Sequence, residues 1–301
     1  MRLSQIIPEM GITKARITRE KPFALLALSI SKISQPHCIF IDDEKYASDI
    51  SNEVTMVITC PTLEQRLQSA QYGLCVIDKP REFFFALHNY LAMQEGYRRS
   101  AFVTEIGKDS SVSQMASISP SNVRIGRQVL IEEFVVIRPN TSIGDYSVIR
   151  AGSVIGGQGY EFKRSNGSIM SVEHAGGVVI GSHAEIQHNT CIDRAIYPWD
   201  DTIIGDYSKL DNLIHIAHAV KIDCNVMVVA QSGIGGRTKI HADAWIGFGA
   251  TVSNGLEIGH RSRVNIGSIA TRDVANNHSV TGNFAIDHAR FIENIKKATA
   301  D

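Results

Sequence analysis

The stretch that decides the fold is residues 106–144, IGKDSSVSQMASISPSNVRIGRQVLIEEFVVIRPNTSIG. Branched aliphatic residues recur in it about every six positions, and this spacing is the signature of hexapeptide repeats. In such repeats each short strand points one aliphatic side chain inward. Three strands close one triangular coil of about 18 residues, and the coils stack into a parallel β-helix. The aliphatic positions are Val112, Ile118, Ile125, Ile131, Ile137 and Ile143.

The repeat continues to about residue 269 and predicts a β-helix domain over residues 105–282. An Ile-Gly pair recurs along it, and the first three pairs are 19 and 18 residues apart. We expect each glycine to supply the backbone freedom that a corner of the coil needs. The pairs begin at Ile106, Ile125, Ile143, Ile155, Ile180, Ile204, Ile234, Ile246, Ile258 and Ile266.

The repeat is interrupted twice and is followed by a short tail. Residues 157–177 and 195–201 lack the aliphatic period. Insertions in a solenoid become loops at one corner, and binding sites are often built from such loops. The tail, residues 283–301, predicts one helix over 287–300, because Phe291, Ile292 and Ile295 form one apolar stripe.

Apolar residues also occur where the coil should face outward. They lie at Val135-Val136, at Met227-Val228-Val229 and at Trp245. A flat apolar side predicts oligomerisation, and cyclic packing of three prisms is the simplest closure.

Residues 1–104 differ in character and predict a small α/β domain. Apolar residues at helical spacing occur over 62–70 and 80–91. Strands alternating with helices over about 100 residues are typical of an α/β fold. The β-rich runs between the helices are 38–41, 54–58 and 74–77.

Composition excludes several classes of function. Lys and Arg number 30 against 31 Asp and Glu, so the net charge of -1 argues against nucleic-acid binding. The longest apolar run, residues 23–28, is far too short to cross a membrane, and no signal peptide is predicted. The 5 cysteines show no CxxC spacing, which favours reduced thiols and a cytoplasmic location.

Histidines are the leading candidates for chemistry. His183 and His188 are spaced as H-x4-H, and His215 or His218 could supply the third ligand that a zinc site needs. These positions do not recur at matching points of the coil, and histidines on a coil surface are usually solvated. We therefore predict no metal site, although a metal-dependent β-helix enzyme remains a rival hypothesis.

The segment 210–222, LDNLIHIAHAVKI, interrupts the coil with four polar side chains. They are Asp211, Asn212, His215 and His218. Equivalent positions of successive coils stack about 5 Å apart, so a carboxylate can orient an imidazole there. A carboxylate that fixes the tautomer of an imidazole makes an acid–base pair. Either histidine could serve as the base on this reasoning alone.

Three short motifs resemble a known family. Residues 191–194 read CIDR, residues 200–205 read DDTIIG, and residues 211–218 read DNLIHIAH. Their order and spacing are similar to the I-D-R-G, D-D-T-x-I-G, D-N and I-A-H-N motifs of the UDP-3-O-acylglucosamine N-acyltransferase family of lipid A assembly. The resemblance extends over most of the chain. It implies a left-handed parallel β-helix, an α/β uridine-binding domain, a homotrimer, and acyl transfer from a thioester to the amine of a nucleotide-linked sugar.

The resemblance also implies roles for individual residues. His218 matches the catalytic base, and Asp211 matches the acid that orients it, whereas His215 is not expected to be essential. Gly236 falls where the family offers a backbone N–H to the thioester oxyanion. On the substrate side, Phe40 and Tyr46 match the pair that stacks on uracil, and Asp43 replaces an asparagine. The other residues expected to contact substrate are Asn212 and Tyr160.

The sequence departs from the family at several positions. Gly255 stands where the lipid A enzyme carries a second histidine, and Ala195 replaces the glycine of I-D-R-G. We therefore expect an N-acyltransferase for an amino-sugar nucleotide of a surface glycan, with acyl-CoA or acyl carrier protein as cosubstrate and no bound cofactor. The alternatives are the lipid A enzyme itself, using a hydroxyacyl carrier protein, and a non-catalytic scaffold or sugar-nucleotide sensor.

Overall fold

A computed structural model describes residues 1–69, 71–165, 167–282 and 284–298. It divides the chain into two compact units, and both breaks in the repeat join the N-terminal residues. The first unit is Met1–Ala101 with Gln158–Gly176 and Ala195–Asp200. The second unit is Phe102–Gly157, Gly177–Arg194 and Asp201–Asp301.

The first unit contains two helices and five strands. They are α1 (Leu3–Glu9), β1 (Arg16–Arg19), β2 (Leu25–Leu26), β3 (His37–Ile41), β4 (Val54–Thr59), β5 (Gly73–Val76) and α2 (Pro80–Ala92). The strands form one sheet with the order β1-β5-β4-β3-β2. Strand β1 is antiparallel to β5, and the other neighbours are parallel. The unit confirms the predicted helix over 80–91 and the three predicted strands.

The predicted helix over 62–70 is wrong. The structure has a short 3-10 helix at Pro61–Leu63 followed by turns, and Ala70 lies outside the described residues. Leu67 is the one fully buried side chain of this segment among the described positions. A longer helix would gain little buried apolar area, so the helical spacing alone does not decide the structure.

The two inserted segments have structure of their own. Residues Phe162–Ser165 and Ser168–Ser171 pair as an antiparallel hairpin. In the other segment, the indole of Trp199 donates a hydrogen bond to the carbonyl of Leu26 at 2.9 Å and stacks on Tyr197. Both insertions belong to the first unit.

The second unit is a parallel β-helix with three sheets, which we call sheets A, B and C. Sheet A has nine strands: Ser111–Val112, Leu130–Ile131, Val148–Ile149, Glu185–Ile186, Lys209–Leu210, Met227–Val228, Trp245–Ile246, Arg263–Val264 and Ser279–Val280. Sheet B has eight: Ser117–Ile118, Val136–Ile137, Val154–Gly157, Cys191–Asp193, His215–Ile216, Gly233–Ile234, Thr251–Val252 and Ile269–Ala270. Sheet C has eight: Glu105–Ile106, Val123–Ile125, Thr141–Ile143, Gly177–Ile180, Asp201–Ile204, Lys221–Ile222, Lys239–Ile240 and Glu257–Ile258.

The inward column of aliphatic residues confirms the predicted core. Ile131, Ile137 and Ile143 are each no more than 2% exposed, and all three belong to one continuous apolar cluster. The residue before each of them in its strand points outward, as the period of a β-strand requires. The six-residue spacing therefore sets which side chains enter the core.

The glycines of the Ile-Gly pairs have a different role from the one expected. Among the ten pairs, only Gly156 and Gly267 have a positive φ. At Gly144, a Cβ atom would lie 2.5 Å from the amide nitrogen of Ser182 in the next coil. The left-handed corners instead fall on other residues, such as Tyr146 with a φ of 62°. Most of these glycines are therefore required by the close approach of successive coils.

The outward apolar residues are fewer than the sequence suggested. Val135 and Val228 point into the core and are at most 1% exposed. Met227 and Trp245 do point outward, and they are direct neighbours in sheet A. The guanidinium of Arg263 lies over the Trp245 ring, 5.5 Å from its centroid.

The tail forms helix α3, His288–Ala298, within the predicted range of 287–300. Positions 299 and 300 lie outside the described residues. No side chain of α3 is fully buried, and Phe291 is 49% exposed. None of the described helices combines the length and the hydrophobicity that crossing a membrane requires.

Replacing Gly144 by alanine should destabilise the β-helix by about 1–3 kcal/mol, because its Cβ would overlap the next coil. Gly233→Ala is the matched control, because a Cβ there would meet no atom within 4 Å. Thermal unfolding of the two variants checks the prediction. Equal melting temperatures would contradict the close-approach explanation.

Candidate active site

His218 lies at the corner between sheets B and C and is only 7% exposed. The corner is held by Thr202, which comes from the first strand after the second insertion. Its hydroxyl donates to the carbonyl of Asp193 at 2.6 Å and accepts from the amide of Ala219 at 2.8 Å. Ala219 has a φ of 59°, a left-handed conformation that is costly for alanine. The hydroxyl bridge therefore fixes the backbone directly after His218.

Gly236 packs against the imidazole of His218 in the next coil. A Cβ atom at Gly236 would lie 2.8 Å from Nε2 and 2.9 Å from Cε1 of His218. The carbonyl of Gly236 accepts from the amide of Gly255 at 2.9 Å, which fixes the peptide in the stack. The structure thus brings two of the three predicted catalytic residues together, and only glycine fits at the second position.

Asp211 lies at a different corner, between sheets A and B. Its carboxylate accepts from the amide of Asn212 at 2.8 Å and from the amide of Ala230 at 3.2 Å. The strand His215–Ile216 separates it from the corner of His218. Within one chain, the structure does not bring Asp211 and His218 together.

Asp193 is the carboxylate that faces a histidine of this motif. Its Oδ2 lies 3.7 Å from Nε2 of His215, and its side chain is 11% exposed against 54% for His215. Burial raises the pKa of Asp193, and the charge of a protonated His215 opposes that rise. Sequence reasoning assigned no role to Asp193, although it belongs to the I-D-R motif. The signal that could have indicated its role is the register between neighbouring strands, which places Asp193 near His215.

The histidines considered as metal ligands have separate surroundings. His183 is stacked between Tyr146 and Tyr207, with ring centroids 4.8 and 4.7 Å apart. His188 Nδ1 lies 3.0 Å from the amide oxygen of Asn212. Within residues 1–69, 71–165, 167–282 and 284–298, no three His, Cys, Asp or Glu side chains converge as a metal site would require.

The predicted uracil-binding residues lie at the end of β3 and in the 3-10 helix Glu44–Tyr46. Phe40 is half-buried, and its ring centroid is 4.9 Å from that of Phe84. Tyr46 is 39% exposed, with the amine of Lys45 4.8 Å from its ring centroid. Asp43 caps the 3-10 helix by accepting from the amide of Lys45 at 3.0 Å.

Arg81 lies beside Phe40, and the sequence analysis assigned it no role. It is the second residue of α2, and its guanidinium lies 5.5 Å from the centroid of Phe40. It donates to both carboxylate oxygens of Asp42 at 2.8 and 3.3 Å. The hydrogen bond to Asp42 raises the pKa of Arg81, so a permanent cation lies beside the Phe40 ring.

Tyr160, in the first insertion, is 86% exposed. Its ring makes an edge contact with Phe162 at a centroid distance of 4.8 Å. The side chain is free to contact a ligand, but no described neighbour fixes its direction beyond this ring contact.

Replacing Gly236 by alanine should lower kcat by about 100-fold, because the new methyl group displaces the His218 imidazole. The melting temperature should change little, although the activity falls. The exposed Gly96→Ala, where a Cβ meets nothing within 4 Å, is the control. A fully active Gly236→Ala enzyme would show that the ring position is unimportant.

Comparison with known families supports the repeat interpretation. The family model "Bacterial transferase hexapeptide (six repeats)" matches residues 122–157. UDP-3-O-acylglucosamine N-acyltransferase of Delftia acidovorans is 29% identical over 299 residues, which is 95% of this chain and 87% of that protein.

Other relatives carry the same name but align over less than half of their length. The enzyme of Hahella chejuensis is 35% identical over 46% of this chain and 41% of its own. Enzyme 2 of Legionella pneumophila strain Lens is 45% identical over 33% of this chain and 28% of its own.

Among solved structures, UDP-N-acetylglucosamine acyltransferase from Campylobacter jejuni superposes with a TM-score of 0.54 at 20% identity. The match covers 66% of this chain and 81% of that one. The Arabidopsis UDP-N-acetylglucosamine acyltransferase gives 0.50 at 22% identity, over 60% and 69%. At this identity the likeness establishes the β-helix fold alone.

Proposed function

We propose that this chain, a hexapeptide-repeat acyltransferase homologous to the UDP-3-O-acylglucosamine N-acyltransferases, acylates the amine of a nucleotide-linked amino sugar. The donor is a thioester of coenzyme A or of acyl carrier protein. The product belongs to a surface glycan. The observation that carries the proposal is the contact between the buried His218 imidazole and the backbone of Gly236.

That contact suits attack of an amine on a thioester. His218 takes a proton from the attacking nitrogen as general base, a role worth about 10²–10⁴-fold in rate. Gly236 packs against the same ring, and its amide N–H is offered to the developing oxyanion. A single such donor is worth about 2.7–4 kcal/mol. Burial of the ring keeps water from competing with the amine.

The nucleotide is proposed to bind to the first unit. Tyr46 presents an exposed ring for a base, and Arg81 offers a guanidinium to a phosphate group. A base that stacks on Phe40 would have to compete with the Arg81 guanidinium, 5.5 Å from the Phe40 centroid, and with the Phe84 ring, whose centroid lies 4.9 Å away. Asp43, Asn212 and Tyr160 remain proposed contacts of the substrate.

The lipid A enzyme itself is the second candidate, and the full-length similarity to the Delftia acidovorans protein favours it. Gly255 separates the two proposals. It has a φ of 73°, and a Cβ atom there would meet nothing within 4 Å. The chain therefore leaves open space where the lipid A enzyme carries a second histidine, and we favour a related acceptor. Both reactions use cytoplasmic thioesters, so we place the protein in the cytoplasm.

A screen of UDP- and dTDP-linked amino sugars against acetyl-CoA, longer acyl-CoAs and acyl carrier protein tests the function. We expect one pair to give an amide and a free thiol. His218→Ala should lower kcat by about 10²–10⁴-fold while nucleotide affinity persists. Nucleotide binding without amide formation by any pair would favour a sugar-nucleotide sensor instead.

We also propose a homotrimer in which Asp211 acts across the subunit boundary. Because Asp211 and His218 lie at different corners of the coil, only Asp211 of one subunit and His218 of the next could form a joint site. The outward Met227 and Trp245 give sheet A an apolar patch for that packing. Light scattering should report three chains per particle.

Mixing His218→Ala and Asp211→Ala chains tests the shared site. If the two residues come from different subunits, about one quarter of all sites in randomly assembled trimers should be intact. Each variant alone should stay inactive or nearly so. The mixture must be unfolded and refolded together, and the separately refolded variants are the control. No recovery would contradict the shared site.

Tyr46→Ala should raise the KM for the sugar nucleotide with less effect on kcat, because stacking is shared by ground and transition states. Stacking on a base is worth about 1–3 kcal/mol. Tyr46 is preferable to Phe40, whose removal would also disturb the packing on Phe84. Tyr207→Ala, an exposed tyrosine of the β-helix, is the control. An unchanged KM would place the base elsewhere.

A further inference from the structure

Proton balance shows what the proposed reaction still lacks, and this inference rests on the proposed function. At a pH below the pKa of its amine, an amino sugar arrives as an ammonium ion. It must lose one proton before attack and a second when the C–N bond forms. Only one of the two can end on the leaving sulfur. One imidazole therefore cannot account for both protons within a turnover, and a second acceptor is needed.

We propose that His215, held by the buried Asp193, is this second acceptor and accepts the first proton from the substrate ammonium. The free amine then attacks the thioester carbonyl carbon and forms the C–N bond. The second proton goes to His218, the C–S bond breaks, and His218 returns that proton to the thiolate. His215 releases its proton to water, so each turnover liberates one amide, one thiol and one proton.

The position of the pair supports this division of labour. Cys191 lies opposite His215 in sheet B, and Ile192 lies opposite Ile216. The next residue of the neighbouring strand, Asp193, therefore lies beside Ala217, between the two histidines along the strand. The backbone of Asp193 is also linked through Thr202 to the amide after His218. One residue thus supports both imidazoles.

The imidazole rings of His215 and His218 differ in exposure, as their two proposed roles require. The side chain of His215 is 54% exposed, so it can pass a proton to water after each turnover. His218 is 7% exposed, so a proton that it takes is kept for the leaving sulfur. On the far side of His215, Gly233 leaves open surface, since a Cβ atom there would meet nothing within 4 Å.

The groups around His215 define its electrostatic surroundings. The neighbouring strand Cys191–Asp193 contributes the Asp193 carboxyl and a thiol whose pKa is raised by burial and by Asp193. The strand on the other side, Gly233–Ile234, contributes no titratable group. The carboxylate of Asp193 is thus the charged partner that stabilises a protonated His215. Asp193 is a positioning residue, and His215 is the catalytic one.

The test is the pH dependence of kcat/KM for His215→Gln. Above the pKa of the substrate ammonium, the variant should match the wild-type enzyme, because the amine arrives free. Below it, activity of the variant should fall about tenfold per pH unit, while the wild-type profile extends further toward acid. Asp193→Asn should show the same shape with a smaller loss. His241→Gln, from the exposed pair with Asp223 at 3.0 Å, should follow the wild type.

Two results would overturn the proposal. One is a His215→Gln profile that coincides with that of the wild type, and the other is a loss of the same size at every pH. Absence of amide formation by the wild-type enzyme would instead reject the proposed function. A measurement without activity separates these cases. Followed by carboxyl ¹³C NMR, the pKa of Asp193 should rise in His215→Gln, because burial then acts unopposed. An unchanged pKa would also overturn the pair.

Discussion

The close approach of successive coils is the constraint on which the rest of this structure depends. At Gly144 the next coil leaves no room for a Cβ atom, and the same is true at Gly236, where the neighbour is the His218 ring. Parallel pairing in strict register makes each outward residue the neighbour of the equivalent residue one coil away. A corner of this solenoid can therefore hold a side chain in a fixed place without a long hydrogen-bond network.

That geometry gives three polar groups of one motif different surroundings. His218 is buried against a glycine, His215 is half-exposed beside a buried carboxylate, and Asp211 is bonded to two backbone amides at another corner. Asp211 and His218 are close in sequence and yet lie at two different corners of the triangular coil. Conversely, Asp193 is distant in sequence from His215 but close in space, because their strands are neighbours.

The first unit uses a different principle. Its aromatic residues are fixed by the packing of α2 on the sheet, where Phe40 contacts Phe84. The guanidinium of Arg81 comes from the first turn of that helix and is held by Asp42. The proposed nucleotide site uses this cation and the neighbouring aromatic rings, because a nucleotide carries both phosphate groups and a base. The combination arises only when the helix and the sheet meet.

The sequence by itself determined the β-helix, because the six-residue period fixes which aliphatic residues point inward. The resemblance to a known family predicted that His218 and Gly236 act together, and the two residues meet because they are one 18-residue coil apart. The tertiary structure decided the partners of the other polar residues. The second insertion lengthens one coil, so that Cys191 faces His215 across 24 residues. Counting one regular coil of 18 residues forward from Asp193 therefore gives the wrong spatial neighbour. Which carboxylate meets which imidazole follows from the register of strands, and that register is set by the folded coil rather than by local spacing.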